Sequence, residues 1–453
     1  MPFSSSARRK PPFNPVKPDS LLTVLVAALR EASGFSLPAD KILSSLFEKN
    51  RGLGPRERRV LAECFYFAMR RWTWLEASAT DRPIESQPRS DLSASELRGM
   101  AVLASSLVDK AQLISLTAHE LHWAQSRSEA LKTLSSAQHR FCIPDWIWND
   151  WVAQLGEDEA GRLAAFLDQE APLDLRLNLA QGQGVAHLRD ELSLAGIAAQ
   201  PIDWLPEGLR CQGRPSVQAL GAFKQGHFEV QDAGSQLLAR LCAPQRGQTV
   251  VDFCAGAGGK TLALGALMRN SGRIYALDTS SSRLARLKPR LARSGLSNVW
   301  AIAIQGLNDL RIKRLRAKAD IVLVDAPCTG LGTLRRNPDL KWRQTSQGLG
   351  DLLSLQASIL SAASTLVKPG GRLVYATCSL KREENEEQVE TFLKAYPEFS
   401  MDSAERILLR QGISPGPQGS WFGEQGELRL WPHRSDTDGF FGVNLVRALM
   451  SKK

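Results

Sequence analysis

From Asp19 to about Leu131 apolar positions recur at helical spacing. Leu21, Leu22, Leu25, Val26 and Leu29 form one face of a first helix, which stops near Gly34. Pro55 to Trp74 predicts a second helix, whose basic Arg70-Arg71 suits a helix C-terminus. Asp81 to Ser90 is polar, with two prolines, and reads as a loop before further helices over Leu92–Leu107 and Lys110–His122. Residues 19–135 thus form an all-α domain whose aromatic residues read as core. The pattern changes over 136–225. A Trp-rich helix follows Pro144, a second begins at Glu157, Leu175–Asn178 alternates as a strand, and His187–Gly196 is again helical. That is a small α/β module. Over 226–453 strands near 250–254, 273–277, 299–304, 320–325, 371–377 and 440–446 alternate with helices, which predicts an α/β domain built on a doubly wound parallel sheet.

Composition narrows the class. Apolar residues make up 43% of the 453, as in a soluble globular protein, and no apolar run approaches the roughly 20 residues that span a bilayer. The start, MPFSSSARRKPPFNPVKP, has no apolar core for a secretory signal; residues 1–18 read as a disordered basic tail. The net charge of +10 points to a polyanionic partner such as nucleic acid, with a merely solvated surface as the alternative. Seven scattered cysteines without a C-x-x-C pair disfavour a disulfide framework and a zinc site, and the six histidines show no metal-ligand spacing. No metal, no membrane contact, a monomer and a reducing cytoplasmic setting are expected.

Chemistry concentrates in VVDFCAGAGGKT, residues 250–261. A buried strand runs into a glycine turn and then a helix, where small residues let backbone approach a nucleotide-like ligand. A second strand, Arg273–Leu277, ends in Asp278, an acid able to accept hydrogen bonds from both ribose hydroxyls. A phosphate loop would need glycine at Cys254, and a dinucleotide fingerprint would need glycine at Thr261. S-adenosylmethionine, with a ribose and no phosphate, needs only the turn and the acid.

Two later strands each end beside a cysteine. Asp320–Asp325 leads into Ala326-Pro327-Cys328, and Arg372–Ala376 into Thr377-Cys378-Ser379. Alone, either cysteine reads as a small apolar filler. As a pair at equivalent strand ends they face one crevice, provided the strands are neighbours. A thiolate that adds to carbon 6 of a pyrimidine turns the ring into an enamine nucleophilic at carbon 5; a second thiol can assist its release. Asp325 can hydrogen-bond the ring nitrogen and amine of a cytosine, and Lys260 can stabilise charge in the adduct. Strand geometry alone permits either cysteine to attack.

VVDFCAGAGGKT, DAPCTGLGTLRRNPDLKW, LVYATCSLKREENE and DGFFGVNLVR together resemble the Sun/NSUN family of RNA cytosine-5 methyltransferases over roughly Gly226–Arg447. The helical region with LGPRERRVLAECFYFAMRRW is similar to the NusB-like domain of the RsmB-like members. The resemblance implies a Rossmann-like catalytic domain, S-adenosylmethionine as methyl donor and 16S rRNA, free or in an assembling small subunit, as partner. It implies Cys378 as nucleophile and Cys328 as the release cysteine. The cofactor positions would be Cys254, Ala255, Gly256, Ala257, Gly258, Gly259, Lys260, Asp278, Arg283, Leu307 and Asp325. Glu383–Asn385 would support the site, and Asp438-Gly439-Phe440-Phe441 would pack near it. The sequence departs from the family where Gly256-Ala257 stands for its usual Ala-Pro and where Leu307 replaces an aspartate that contacts adenine; Asn308 or Asp309 are candidate substitutes. Arg335, Arg336, Lys341 and Trp342 are candidate RNA contacts, pairing with phosphate or stacking on a base. Arg176 and Asn178, on one strand face, can contact RNA or join an ion pair. The alternatives are a catalytically silent RNA-binding or ribosome-assembly factor, a tRNA substrate and, more distantly, a nucleotide hydrolase.

Overall fold

The computed structural model describes residues 18–108, 113–134, 136–182, 184–415 and 421–449, so the basic tail falls almost wholly outside the described residues. Two compact units divide them. One holds the chain up to Asp168 together with Asn337–Arg343, and the other holds Gln169–Arg336 and the chain from Gln344 onward. The division falls inside the small module expected over 136–225, and the helices Asp145–Leu155 and Glu157–Leu167 group with the helical unit.

The helical unit is built on Pro18–Ala32, Ala39–Lys49, Pro55–Arg70, Trp72–Thr80, Ala94–Leu107 and Ala118–Thr133. Leu25, Leu29, Phe65, Met69, Trp72 and Leu103 lie in its core. Two helix starts are written locally. Ser93 and Thr117 each accept the N–H three residues on, from Glu96 and Glu120, whose carboxylates return to the cap backbone. The second of these begins the helix at Ala118, later than the expected Lys110. The helix expected over Pro55–Trp74 breaks at Arg71, whose guanidinium is held by both carboxylate oxygens of Asp168 at 2.6 and 2.5 Å.

Asn337–Arg343 completes this unit. Helix Ala39–Lys49 starts at Pro38, which has no side chain to cap it; the Ala39 N–H donates instead to Asp339, 300 residues away in the chain. At the C-terminal end of Pro55–Arg70, the Trp342 indole N–H donates to the Met69 carbonyl at 2.7 Å. Lys341 Nζ donates to the carbonyls of Arg70 and Phe141 at 2.7 and 2.9 Å. Trp342 joins the core and Lys341 is buried. The sequence read both as RNA contacts; in the fold, carbonyls at helix ends engage both.

The second unit carries two sheets. The smaller comprises β1 (Leu173–Leu177), β2 (Ala199–Pro201), β3 (Gly208–Cys211) and β4 (Phe228–Val230), in the order β2-β3-β1-β4, with every pairing antiparallel. The larger is the expected α/β domain: β5 (Thr249–Asp252), β6 (Arg273–Asp278), β7 (Val299–Ala303), β8 (Ala319–Asp325), β9 (Val367–Thr377), β10 (Phe399–Asp402), β11 (Leu428–Leu430) and β12 (Phe440–Arg447). Its order is β10-β12-β9-β8-β5-β6-β7, with β11 on β12. Strands β5 to β9 are parallel, whereas β12 runs antiparallel to β9, β10 and β11. The sheet is therefore mixed, and the parallel expectation holds for its centre. Along β8, Ile321 and Leu323 enter one core layer and Val322 and Val324 the other, which is why the strand reads as a continuous apolar run.

Burial pushes the Lys341 ammonium down to about 7. The folded state then binds fewer protons than the unfolded chain between pH 7 and the ordinary lysine range, so stability gained from this residue rises with pH across that window. We expect the unfolding free energy of the wild type, measured by urea denaturation, to climb between pH 7 and 9 by at most ~1.4 kcal/mol per pH unit. Lys341→Met should lose that slope; parallel pH curves for the two proteins would contradict the burial argument.

Candidate active site

Strand β5 ends in the buried Asp252, and the chain turns through Phe253–Gly258 into the helix Gly259–Leu267. Gly256 and Gly258 have φ of +56° and +82°, a region that favours glycine. A Cβ at Gly258 would sit 2.2 Å from Leu287 Cδ1, so the turn needs glycine there for space as well as conformation. Asp278, at the end of the neighbouring β6, fixes the turn from the side. Its Oδ2 accepts the Gly256 N–H and its Oδ1 the Ser280 N–H, both at 2.7 Å. Each oxygen keeps a further lone pair. Those acceptor lone pairs fit the hydroxyls of a ribose. Arg283 flanks the turn, 3.8 Å from Asp278. Cys254, Ala255, Ala257 and Gly259 complete it; burial holds the Cys254 thiol above its ordinary range, which suits a filler and not a nucleophile. Thr261 donates to Asp252 at 2.6 Å, and burial pushes that carboxyl up to about 7.

Beside this turn β8 and β9 are neighbours, with Asp325 opposite Ala376. The two cysteine loops therefore leave the sheet side by side, and Cys328 Sγ lies 3.4 Å from Cys378 Sγ. The hydrogen bond to Cys378, with burial, raises the Cys328 thiol well above its ordinary value. The Cys378 carbonyl accepts the Gly332 N–H at 2.9 Å, and the Gly332 carbonyl accepts the Gly439 N–H at 2.8 Å. A Cβ at Gly332 would sit 2.2 Å from the Gly439 oxygen, so these loops can approach only through glycine. Lys260 Nζ donates to Asp325 Oδ2 at 2.7 Å and lies 5.5 Å from the Phe440 ring centroid. Burial opposes its charge, but Asp325 outweighs burial and raises its pKa. Cys328, Cys378, Asp325 and Lys260 are thus gathered at the carboxyl ends of adjacent strands, and Phe440 of the DGFF stretch meets Lys260.

Other expected residues are placed differently. Leu307 is half-buried against the core layer that holds Phe253, Ile304 and Ile312. Asp309 caps the short helix Leu310–Lys313 and is held by Arg311, which keeps its carboxyl below the usual range; it is committed there and does not stand in for the missing acid. Arg336 reaches two carboxylates, Asp438 at 2.6 Å and Asp232 at 2.9 Å. Arg335 is buried, donates to the Glu170 carbonyl and lies 3.6 Å from Asp436. The sequence read both as RNA contacts; acids and carbonyls of the same unit engage both, Arg335 buried and Arg336 half-buried. Arg176 is buried near Glu229 and Glu207, and burial pushes it down to about 10. Asn178 donates to the carbonyls of Gly226 and Ser294. Sequence reasoning missed Asp232, although an aspartate two residues before Gly234 is an N-cap signal; it accepts the N–H groups of Gly234 and Ser235 as well as Arg336. Among the described residues no group of three His, Cys, Asp or Glu can hold a metal ion, and no helix is long and apolar enough to cross a membrane.

Comparison with known proteins agrees with this geometry. Residues 239–446 match the 16S rRNA methyltransferase RsmB/F family, and 143–218 match the ferredoxin-like domain of RsmF/B-like methyltransferases. The probable ribosomal RNA small subunit methyltransferase B of Synechocystis is 33% identical over 87% of this chain and 92% of its own length. The ribosomal RNA small subunit methyltransferase B of Salmonella paratyphi B is 32% identical over 75% of each chain. The crystal structure of PH0851 has a TM-score of 0.75 at 27% identity, covering 96% of this chain and 100% of that one. A methyltransferase homolog protein from Pyrococcus horikoshii has a TM-score of 0.58 at 28% identity, covering 69% and 97%. With a relative above 30% identity matched along nearly its whole length, and with both domains recognised in order, this chain belongs to the RsmB/F family of 16S rRNA methyltransferases.

Proposed function

We propose that the protein methylates carbon 5 of a cytosine in small-subunit ribosomal RNA through a covalent adduct between Cys378 and carbon 6. Family membership gives rRNA methylation and S-adenosylmethionine as donor. The choice of atom and the adduct rest on one observation, the two thiols 3.4 Å apart beside the Lys260–Asp325 pair. Methylating an exocyclic amine needs no thiol, because a nitrogen lone pair can attack directly; a pair of thiols is explained by carbon-5 chemistry.

In this reading Cys378 sulfur bonds carbon 6, and the ring's double bond shifts to leave an enamine nucleophilic at carbon 5. Asp325 accepts from the cytosine amine and steadies the ring. Lys260, held charged by Asp325, offsets negative charge that develops as the sulfur adds. S-adenosylmethionine, held by the 254–260 turn, Asp278 and Arg283, supplies an electrophilic methyl group when bound. Carbon 5 then passes its proton to water, the new carbon–carbon double bond forms as the carbon–sulfur bond breaks with its electron pair returning to the Cys378 sulfur, and the aromatic ring is restored. Cys328 is held protonated by its neighbour and by burial, which disfavours it as attacker and suits the releasing partner.

A second reading, a silent assembly factor, is favoured by Leu307 where the family's usual acid stands and by Asp309 held in a cap, which leave no free carboxylate at either position. Titration calorimetry separates the two. We expect S-adenosylmethionine to bind wild type, and Asp278→Ala to weaken it at least ~10-fold through lost carboxylate hydrogen bonds, each worth roughly 1.5–3 kcal/mol. No binding to folded wild type would favour the silent factor. The adduct is tested on a denaturing gel with small-subunit rRNA and S-adenosylmethionine. Cys328→Ala should give a denaturation-stable protein–RNA band and Cys378→Ala none. The reverse pattern would swap the two roles, and no band with no methyl transfer would sink the covalent reading.

A further inference from the structure

The loops that carry the two thiols are joined through the residue that follows each cysteine. Thr329, after Cys328, and Ser379, after Cys378, converge on the carboxylate of Glu384. Its Oε1 accepts the Thr329 N–H at 2.8 Å and a Gln356 amide N–H at 3.0 Å. Its Oε2 accepts the Thr329 hydroxyl at 2.5 Å and the Ser379 hydroxyl. The two hydroxyl oxygens lie 3.1 Å apart. Glu384 is fully buried, and four donors replace the hydration its carboxylate has lost. Gln356 extends the brace by donating to the Pro327 carbonyl at 2.9 Å, just before Cys328. Tyr375, on β9, anchors the Glu384 backbone through a 2.7 Å hydrogen bond to its carbonyl. Asn385 holds the other flank, accepting from the Thr377 hydroxyl at 2.5 Å and donating to the Ser379 carbonyl.

We propose that Glu384 is a positioning residue for the covalent reaction, a clamp whose single buried carboxylate sets the separation of Cys328 and Cys378 by gripping the residue after each. It touches neither sulfur. A buried ion of this kind is costly to place, and an apolar residue would fill the same volume without desolvating a charge. What an apolar residue cannot do is accept from both loops at once. Because reaction rates fall steeply when reacting groups are displaced by about 1 Å, the clamp acts on turnover and not on binding. The proposal rests on the two-cysteine reading above, and its test includes a readout that does not.

The variant is Glu384→Gln in the full chain, which keeps the shape but turns an acceptor oxygen into a donor facing donors. Expected are a kcat lower by about 100-fold and KM values for RNA and S-adenosylmethionine within about threefold of wild type. In parallel, both proteins are treated with diamide, which takes up the two thiol hydrogens, and the Cys328–Cys378 disulfide is quantified by mass spectrometry. Wild-type thiols should pair readily, and Glu384→Gln should pair less at equal oxidant. Should that variant fail to fold, Ser379→Ala, which removes one arm only, should show both effects in milder form. A folded variant with wild-type kcat and wild-type pairing would overturn the clamp. So would a loss of rate carried entirely by KM with pairing unchanged. If wild type transferred no methyl group yet paired its thiols in a Glu384-dependent way, the clamp would stand and the carbon-5 reading would fall.

Discussion

The site depends on two parallel strands lying side by side in register. Because β8 and β9 are adjacent, with Asp325 opposite Ala376, the loops that follow them must leave the same edge of the sheet together. Two cysteines 50 residues apart in sequence are thereby brought within 3.4 Å. The glycine turn after β5 and the acid after β6 arise at the same edge, since those strands are also parallel and adjacent. An open parallel sheet puts its ligands at its carboxyl edge for this reason, and the chemistry is a property of strand order before it is a property of any residue.

Strand order brings the loops together but does not hold them at working distance. Buried polar contacts do that. Glu384 grips both cysteine loops, Arg336 joins Asp232 to Asp438, and the glycine pair Gly332–Gly439 lets the DGFF stretch close against the loop after β8. Asp438 illustrates the cost. Burial, then the nearby charge of Asp232, pushes its carboxyl up to about 7 even with Arg336 beside it. Charges that look available for a nucleic acid in the sequence are spent inside the protein instead.

Much of this was legible in the chain. The strands β5, β6, β8 and β9 fall where apolar runs end at or beside Asp or Cys, because a strand buried on both faces is apolar nearly throughout. The turn, Asp278 and the cysteine pair were legible for the same reason: each sits at a strand end. What failed to read was anything with a distant partner. Lys341 and Trp342 form a basic, aromatic stretch that resembles an RNA contact, yet they close the end of a helix ending at Arg70. Helix Ala39–Lys49 carries no local start signal because its cap, Asp339, lies 300 residues away. The antiparallel edge of the sheet was also hidden, since strand direction leaves no mark on an apolar run. The start of the helix at Ala118, by contrast, is written locally in Thr117 and Glu120, although the sequence reading placed it at Lys110.

The central claim is that a thiol adds to carbon 6 so that carbon 5 can be methylated. The most direct measurement uses small-subunit rRNA carrying tritium at carbon 5 of its cytosines, incubated with wild-type protein and S-adenosylmethionine labelled in its methyl group. Tritium should enter the water in step with methyl transfer, because the methylated carbon 5 must lose its hydrogen before the Cys378 bond can break. Methyl transfer with the tritium retained in the RNA would place the methyl group on another atom and contradict the account.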